Sequence, residues 1–114
     1  MLMSCCFMEG SVTQKQKTDF RMSPAWKTFR ITCKKAHNYI DFVTRQLLSS
    51  HWHLHHLDMR NEHYTNITDV KRFVPLNSET HDFMHWLYRL WLKDPTVLER
   101  IRILLERMKV CNSD

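Results

Sequence analysis

From Trp26 onward, Phe29, Cys33, Ala36, Ile40, Val43 and Leu47 follow one another at alternating steps of three and four residues. That spacing puts them on one face of an α-helix, in the heptad-like seam of a helix that packs along its length. Ser23-Pro24 reads as the start of that helix. The serine hydroxyl can accept a backbone N–H, and proline in the first helical position gives up a donor that would have no partner there. Lys27, Arg30, Lys34, Asn38, Asp41 and Arg45 fall off the seam, as a solvated side requires. Leu54 and Leu57 keep the spacing beyond Ser49 and Ser50, so the sequence predicts one helix running to about residue 60.

The pattern then breaks. Asn66, Thr68 and Asp69 offer turn chemistry and Pro75 has no backbone donor, so residues 61–77 read as a connector with one helical turn around Asp69 to Phe73. Asn77 or Ser78 can cap a second helix through Thr80, Phe83, Leu87 and Leu90, with Met84, Trp86, Tyr88, Trp91 and Leu92 spreading apolar surface around it. Asp94-Pro95 repeats the cap-and-proline start and opens a third helix. There Val97, Leu98, Ile101, Leu104, Leu105 and Met108 keep helical spacing, and Glu99 with Arg102, Arg102 with Glu106, and Glu106 with Lys109 are opposite charges one turn apart.

A chain of 114 residues holds one modest core. With 43% hydrophobic residues and a single glycine, it argues against disorder and against a turn-rich β fold. The expected fold is all-α: a small helical bundle of about three helices, the second and third antiparallel neighbours packed across the first. Residues 1–22 lack sustained apolar periodicity and read as a disordered N-terminal tail, leaving 23–114 as a single helical domain.

Lysine and arginine outnumber aspartate and glutamate 17 to 12, a formal charge of +5. Lys15, Lys17, Arg21, Lys27, Arg30, Lys34 and Lys35 are answered in their stretch only by Asp19. Such a face is either simply solvated or a seat for nucleic acid or another acidic surface, with Lys27, Arg30, Lys34 and Lys35 as its anion-binding candidates. The cysteines, Cys5, Cys6, Cys33 and Cys111, lack the two-residue spacing of a zinc ribbon or redox site and read as reduced thiols. Residues 1–8 are too short and too poor in basic residues for a signal peptide, and Met8 is an alternative start. No run of apolar residues is long enough to span a bilayer, so an intracellular, cytoplasmic protein is expected and the sequon at Asn66 carries no weight.

Four of the eight histidines, His51, His53, His55 and His56, crowd around Trp52 and Leu54. On the predicted helix, His51 and His55 would share a face and offer two imidazoles to a metal, two short of a structural zinc site. His81-Asp82-Phe83-Met84-His85 has the two histidines of a zinc-protease helix, but aspartate stands where that motif requires glutamate, and no third ligand is evident. His81 and His85 are metal candidates of the same rank as His51 and His55. No glycine-rich phosphate loop, serine elbow or Cys–His pairing is present, so neither enzyme activity nor a cofactor is expected.

Ser-Pro with an apolar helix to Leu48, then Arg60-Asn61-Glu62-His63-Tyr64, Thr68-Asp69-Val70-Lys71-Arg72, and Glu79 to Phe83 carry one resemblance. From about Ser23 to Leu92 the chain resembles the N-terminal helical domain of the endoplasmic-reticulum type of syntaxin, through that family's Arg-x-x-Tyr, its Thr-Asp-x-x-Arg and its acidic-to-phenylalanine helix. The histidine cluster and Pro75 depart from the pattern, and the family's coiled-coil fusion segment and membrane anchor have no counterpart here. The resemblance implies a regulatory or fragmentary relative that serves membrane traffic by binding tethering or fusion proteins.

From the residues themselves, the leading expectation is a protein–protein interaction module. Trp26, Phe29, Ile40, Val43, Leu47, Trp86, Leu90 and Trp91 would bind a helical partner or a second copy. The competing expectation is a nucleic-acid-binding accessory protein that uses the basic stretch.

Overall fold

The structure, a computed structural model, describes residues 13–58, 67 and 69–113. In chain order it contains α1 (Gln14–Arg21), α2 (Pro24–Ala36), β1 (Trp52–His56), a 3-10 turn (Val70–Arg72), β2 (Phe73–Asn77), α3 (Ser78–Lys93) and α4 (Val97–Cys111). The all-α expectation is therefore corrected: among the described residues, four helices accompany a two-stranded antiparallel sheet. By its internal contacts the chain divides into two compact units, one ending at Thr80 and one beginning at His81. Cys5, Cys6, residues 60–64, Asn66 and Thr68 lie outside the described residues.

In the first unit, part of the expected tail is helical. Thr13 accepts from the Gln16 N–H while the Gln16 side chain accepts from the Thr13 N–H, a capping box that starts α1. Phe20 then docks the helix, its ring 5.3 Å from that of Trp26. Ser23 caps α2 as its sequence requires, accepting from the Trp26 N–H at 3.2 Å ahead of Pro24.

The long helix expected to reach about residue 60 ends at Ala36. Asn38 and Tyr39 take φ values of 57° and 62°, and Tyr39 N–H bonds back to Lys34 C=O at 3.0 Å. Asparagine enters the left-handed region at little cost, whereas tyrosine does so only under constraint. The constraint is a tight turn: Ile40 and Leu47 form an isolated bridge, Leu48 N–H bonds Tyr39 C=O, and Asp41 N–H bonds Gln46 C=O. Arg45, at φ 64°, completes it.

Asp41 is fully buried, and four donors converge on its carboxylate. The N–H groups of Val43 and Thr44 reach Oδ1 at 2.8 Å each, the N–H of Asn77 reaches Oδ2 at 2.8 Å, and the Thr80 hydroxyl adds a fourth bond. One side chain thus ties the turn, the end of β2 and the first turn of α3. Its negative charge lies where the N-terminal dipole of α3 favours an anion.

β1 and β2 pair from Trp52 opposite Asn77 to His56 opposite Phe73. Pro75, expected to interrupt structure, sits inside β2 opposite Leu54. A two-stranded ribbon leaves one side of each strand unpaired, so proline is tolerated there. Its carbonyl accepts from Phe42 N–H at 3.0 Å, which fastens the turn to the strand. Trp26, Cys33, Trp52, Leu54 and Phe73 form the core, with Phe20, Phe29, Leu48, Ile67 and Val70 against it. Burial pushes the Cys33 thiol up to about 11, which makes it a packing residue rather than a reactive one.

The second unit holds most of α3 and all of α4. Asp94 links them, accepting from Thr96 N–H and its hydroxyl and from Arg100. The expected antiparallel pairing does not form: α3 and α4 do not lie against one another along their length.

Asp41→Asn tests the centre of the first unit. Whichever way the amide turns, its NH2 faces at least one backbone N–H that can only donate, which costs about 1–3 kcal/mol for a buried donor left unpaired. Burial raises the Asp41 pKa, but the N–H groups of Thr44 and Asn77, the Thr80 hydroxyl and the Val43 N–H outweigh it, so the net shift is downward. The carboxylate's contribution is thus complete above the unfolded value of about 3.9 and is lost as pH falls through the lower folded value. Urea unfolding followed by near-ultraviolet circular dichroism should show the variant destabilised at neutral pH, with the gap to wild type narrowing in acid.

Candidate functional site

The partner-binding residues expected on one long seam separate. Trp26 lies in the core and Phe29 packs its ring edge-on to Phe73 at 4.9 Å, so both serve the fold. Ile40, Val43 and Leu47 are not helical at all. Ile40 and Leu47 are the bridge residues of the turn, Val43 lies at its tip, and Leu47 is 71% exposed.

The basic candidates also divide. Arg30 donates to Trp52 C=O at 2.7 Å with its guanidinium 3.9 Å from the Trp52 ring, and partial burial lowers its pKa. Lys34 places its ammonium 5.1 Å from the Trp52 ring and 5.7 Å from that of Tyr39. Both cations are engaged in holding β1 against α2, through cation–π contact and a charge-assisted hydrogen bond. Lys27 and Lys35 are exposed on α2. The four do not form one free cationic surface.

The four clustered histidines fall on extended chain, not on a helix. His51 lies in the bend before β1, its ring nitrogen 3.0 Å from the Ser50 hydroxyl, and its carbonyl accepts from both the N–H and the hydroxyl of Ser78. His53 and His55 alternate along β1 with the buried Trp52 and Leu54. His56 stacks on Trp26 at 5.7 Å and meets Phe73 edge-on at 4.7 Å. The helical face expected for His51 and His55 does not exist, because a period of two governs this segment.

His81 and His85 do share a helix face. Their Nε2 atoms stand 3.2 Å apart on α3, with ring centroids 4.5 Å apart. Asp82 Oδ1 lies 3.6 Å from His81 Nδ1.

The largest uncommitted feature is apolar. α4 has no buried residue, although Leu98, Leu104, Leu105 and Met108 recur at helical spacing; Leu104 is 59% and Leu105 58% exposed. On α3, Trp86 is 48% and Trp91 40% exposed, while Leu90 is half-buried. Phe83 lies 6.0 Å from Trp86, and Tyr88 stacks with Trp91 at 6.2 Å. On the polar edge of α4 Arg102 reaches both Glu99 and Glu106, and the hydrogen bonds it donates to Glu99 hold its pKa up. Sequence reasoning found the apolar stripe of α4 by its spacing. The roles of Asp41 and Trp52 carried no local motif that could have revealed them.

No helix among the described residues is long and apolar enough to cross a membrane. No protein-family model, curated protein or solved structure matches the chain.

Arg30→Gln removes the bond to Trp52 C=O and the cation over its ring, and should destabilise the first unit by about 1–3 kcal/mol. Paired substitution of Lys27 and Lys35 by Gln should change stability by less than about 0.5 kcal/mol, as for exposed surface sites. Urea unfolding of the two variants side by side checks the division.

Proposed function

We propose that the chain is a non-enzymatic interaction module that associates with a second copy of itself through the apolar faces of α3 and α4. The observation that carries this reading is α4, a fifteen-residue helix with no buried residue and a repeated apolar stripe. An isolated helix of that length is marginal in water, and its stability ordinarily comes from packing an amphipathic face.

Energetics favour a shared surface. Burying a leucine- or methionine-sized side chain contributes about 1.5–3 kcal/mol, so Leu98, Leu104, Leu105 and Met108 together approach the roughly 4–15 kcal/mol that association costs. The exposed rings of Phe83, Trp86 and Trp91 add the large apolar area typical of interface anchors. A second copy meets the electrostatic requirement as well. Arg102 is paired within the helix to Glu99 and Glu106, so these three groups are already engaged and ask for no partner across the contact. Two-fold pairing of one surface with itself is the commonest form of such assembly.

Size exclusion with light scattering on the full chain should give a dimer at both low and high salt, because the contact is apolar. Leu104→Asp combined with Leu105→Asp should give a monomer with its first unit still folded by near-ultraviolet circular dichroism. A wild-type chain that stays monomeric at both salts, or a dimer indifferent to the substitutions, would overturn the proposal.

A further inference from the structure

The geometry of α3 points to a second property, independent of self-association: we propose that His81 and His85 chelate a divalent transition-metal ion of the zinc class. The two residues are one helical turn apart, and their Nε2 atoms, at 3.2 Å, approach more closely than their ring centres, at 4.5 Å. The two nitrogen edges therefore converge on a common point. Zinc–nitrogen bonds of about 2.0–2.1 Å drawn from both nitrogens to one ion enclose an angle of roughly 103°, close to the tetrahedral value. Both side chains are half-buried, which limits the rotamer freedom that metal binding has to remove.

Proton placement is compatible with binding. Without metal, nitrogens at 3.2 Å share a hydrogen, one Nε2–H donating to the other ring's lone pair. Ligation needs both Nε2 lone pairs, so that hydrogen moves to Nδ1 of the same ring and no net proton is lost from a neutral pair. For His81, the Nδ1 that receives it lies 3.6 Å from the Asp82 carboxylate, beyond hydrogen-bond distance but close enough for the negative charge to favour a proton there. Two imidazoles hold the ion more loosely than the four ligands of a structural site.

The test uses the full chain stripped of metal, titrated with zinc at a pH above the histidine range. Calorimetry should show saturable binding of one ion per chain at micromolar zinc, and zinc should raise the melting temperature of the wild type reversibly with chelator. His81→Asn and His85→Asn should each abolish both effects. Nitrogen NMR of histidine-labelled wild type reads ligation without any substitution: zinc should shift the Nε2 signals of His81 and His85 together. Unmoved signals for these two residues, or single variants that bind zinc as the wild type does, would overturn the proposal.

Discussion

A carboxylate shut away from water organises the first unit. Asp41 accepts from the backbone of its own turn, from Asn77 at the end of β2 and from the Thr80 hydroxyl in the first turn of α3, and it is fully buried while doing so. An unpaired charge in that position would be prohibitive; four donors convert it into a fixed point. The turn it closes contains Arg45 at positive φ and follows Tyr39 in the same region, conformations that non-glycine residues hold only when their surroundings leave no alternative. The core of Trp26, Cys33, Trp52, Leu54 and Phe73 then gathers where α2 meets the ribbon, and Arg30 and Lys34 brace Trp52 from its outer face.

The second unit has the opposite character. Its helices carry large apolar side chains, yet α4 buries none of its residues and does not lie along α3. Surface leucines scattered singly need no explanation, but a stripe repeated over a whole helix is the signature of a face meant for contact. Arg102 pairs within the helix to Glu99 and Glu106, which engages these charges along its polar edge.

The parts of the fold legible in the sequence were those governed by local chemistry. Ser23-Pro24 starts α2 as read, α3 begins at Ser78 and the stripe of α4 is where spacing placed it. The long helix failed because Ile40, Val43 and Leu47 happen to continue the steps of three and four while Asp41, a long-range acceptor, holds the same residues in a turn. The scarcity of glycine argued against turns, yet Asn38, Tyr39 and Arg45 supply the left-handed positions instead. β1 was misread for a related reason: Trp52, Leu54 and His56 alternate with His53 and His55 at a period of two, but Leu54 and Leu57 also fit a helical count. Thr13 and Gln16 have the spacing of a capping box, a local signal for α1 that the reading of residues 1–22 as a tail passed over. Of the candidate sites, the pairing of His81 with His85 was present in their spacing, whereas the commitment of Arg30 and Lys34 to Trp52 depended on a strand that sequence reasoning did not place.

The central claim is that α4 is covered by a second copy, and amide hydrogen exchange measured by mass spectrometry at two protein concentrations tests it most directly. The account predicts that amides of residues 97–111 are protected in concentrated solution and exchange far faster on dilution, while those of β1 and β2 are unaffected. Protection of α4 that does not depend on concentration would contradict it.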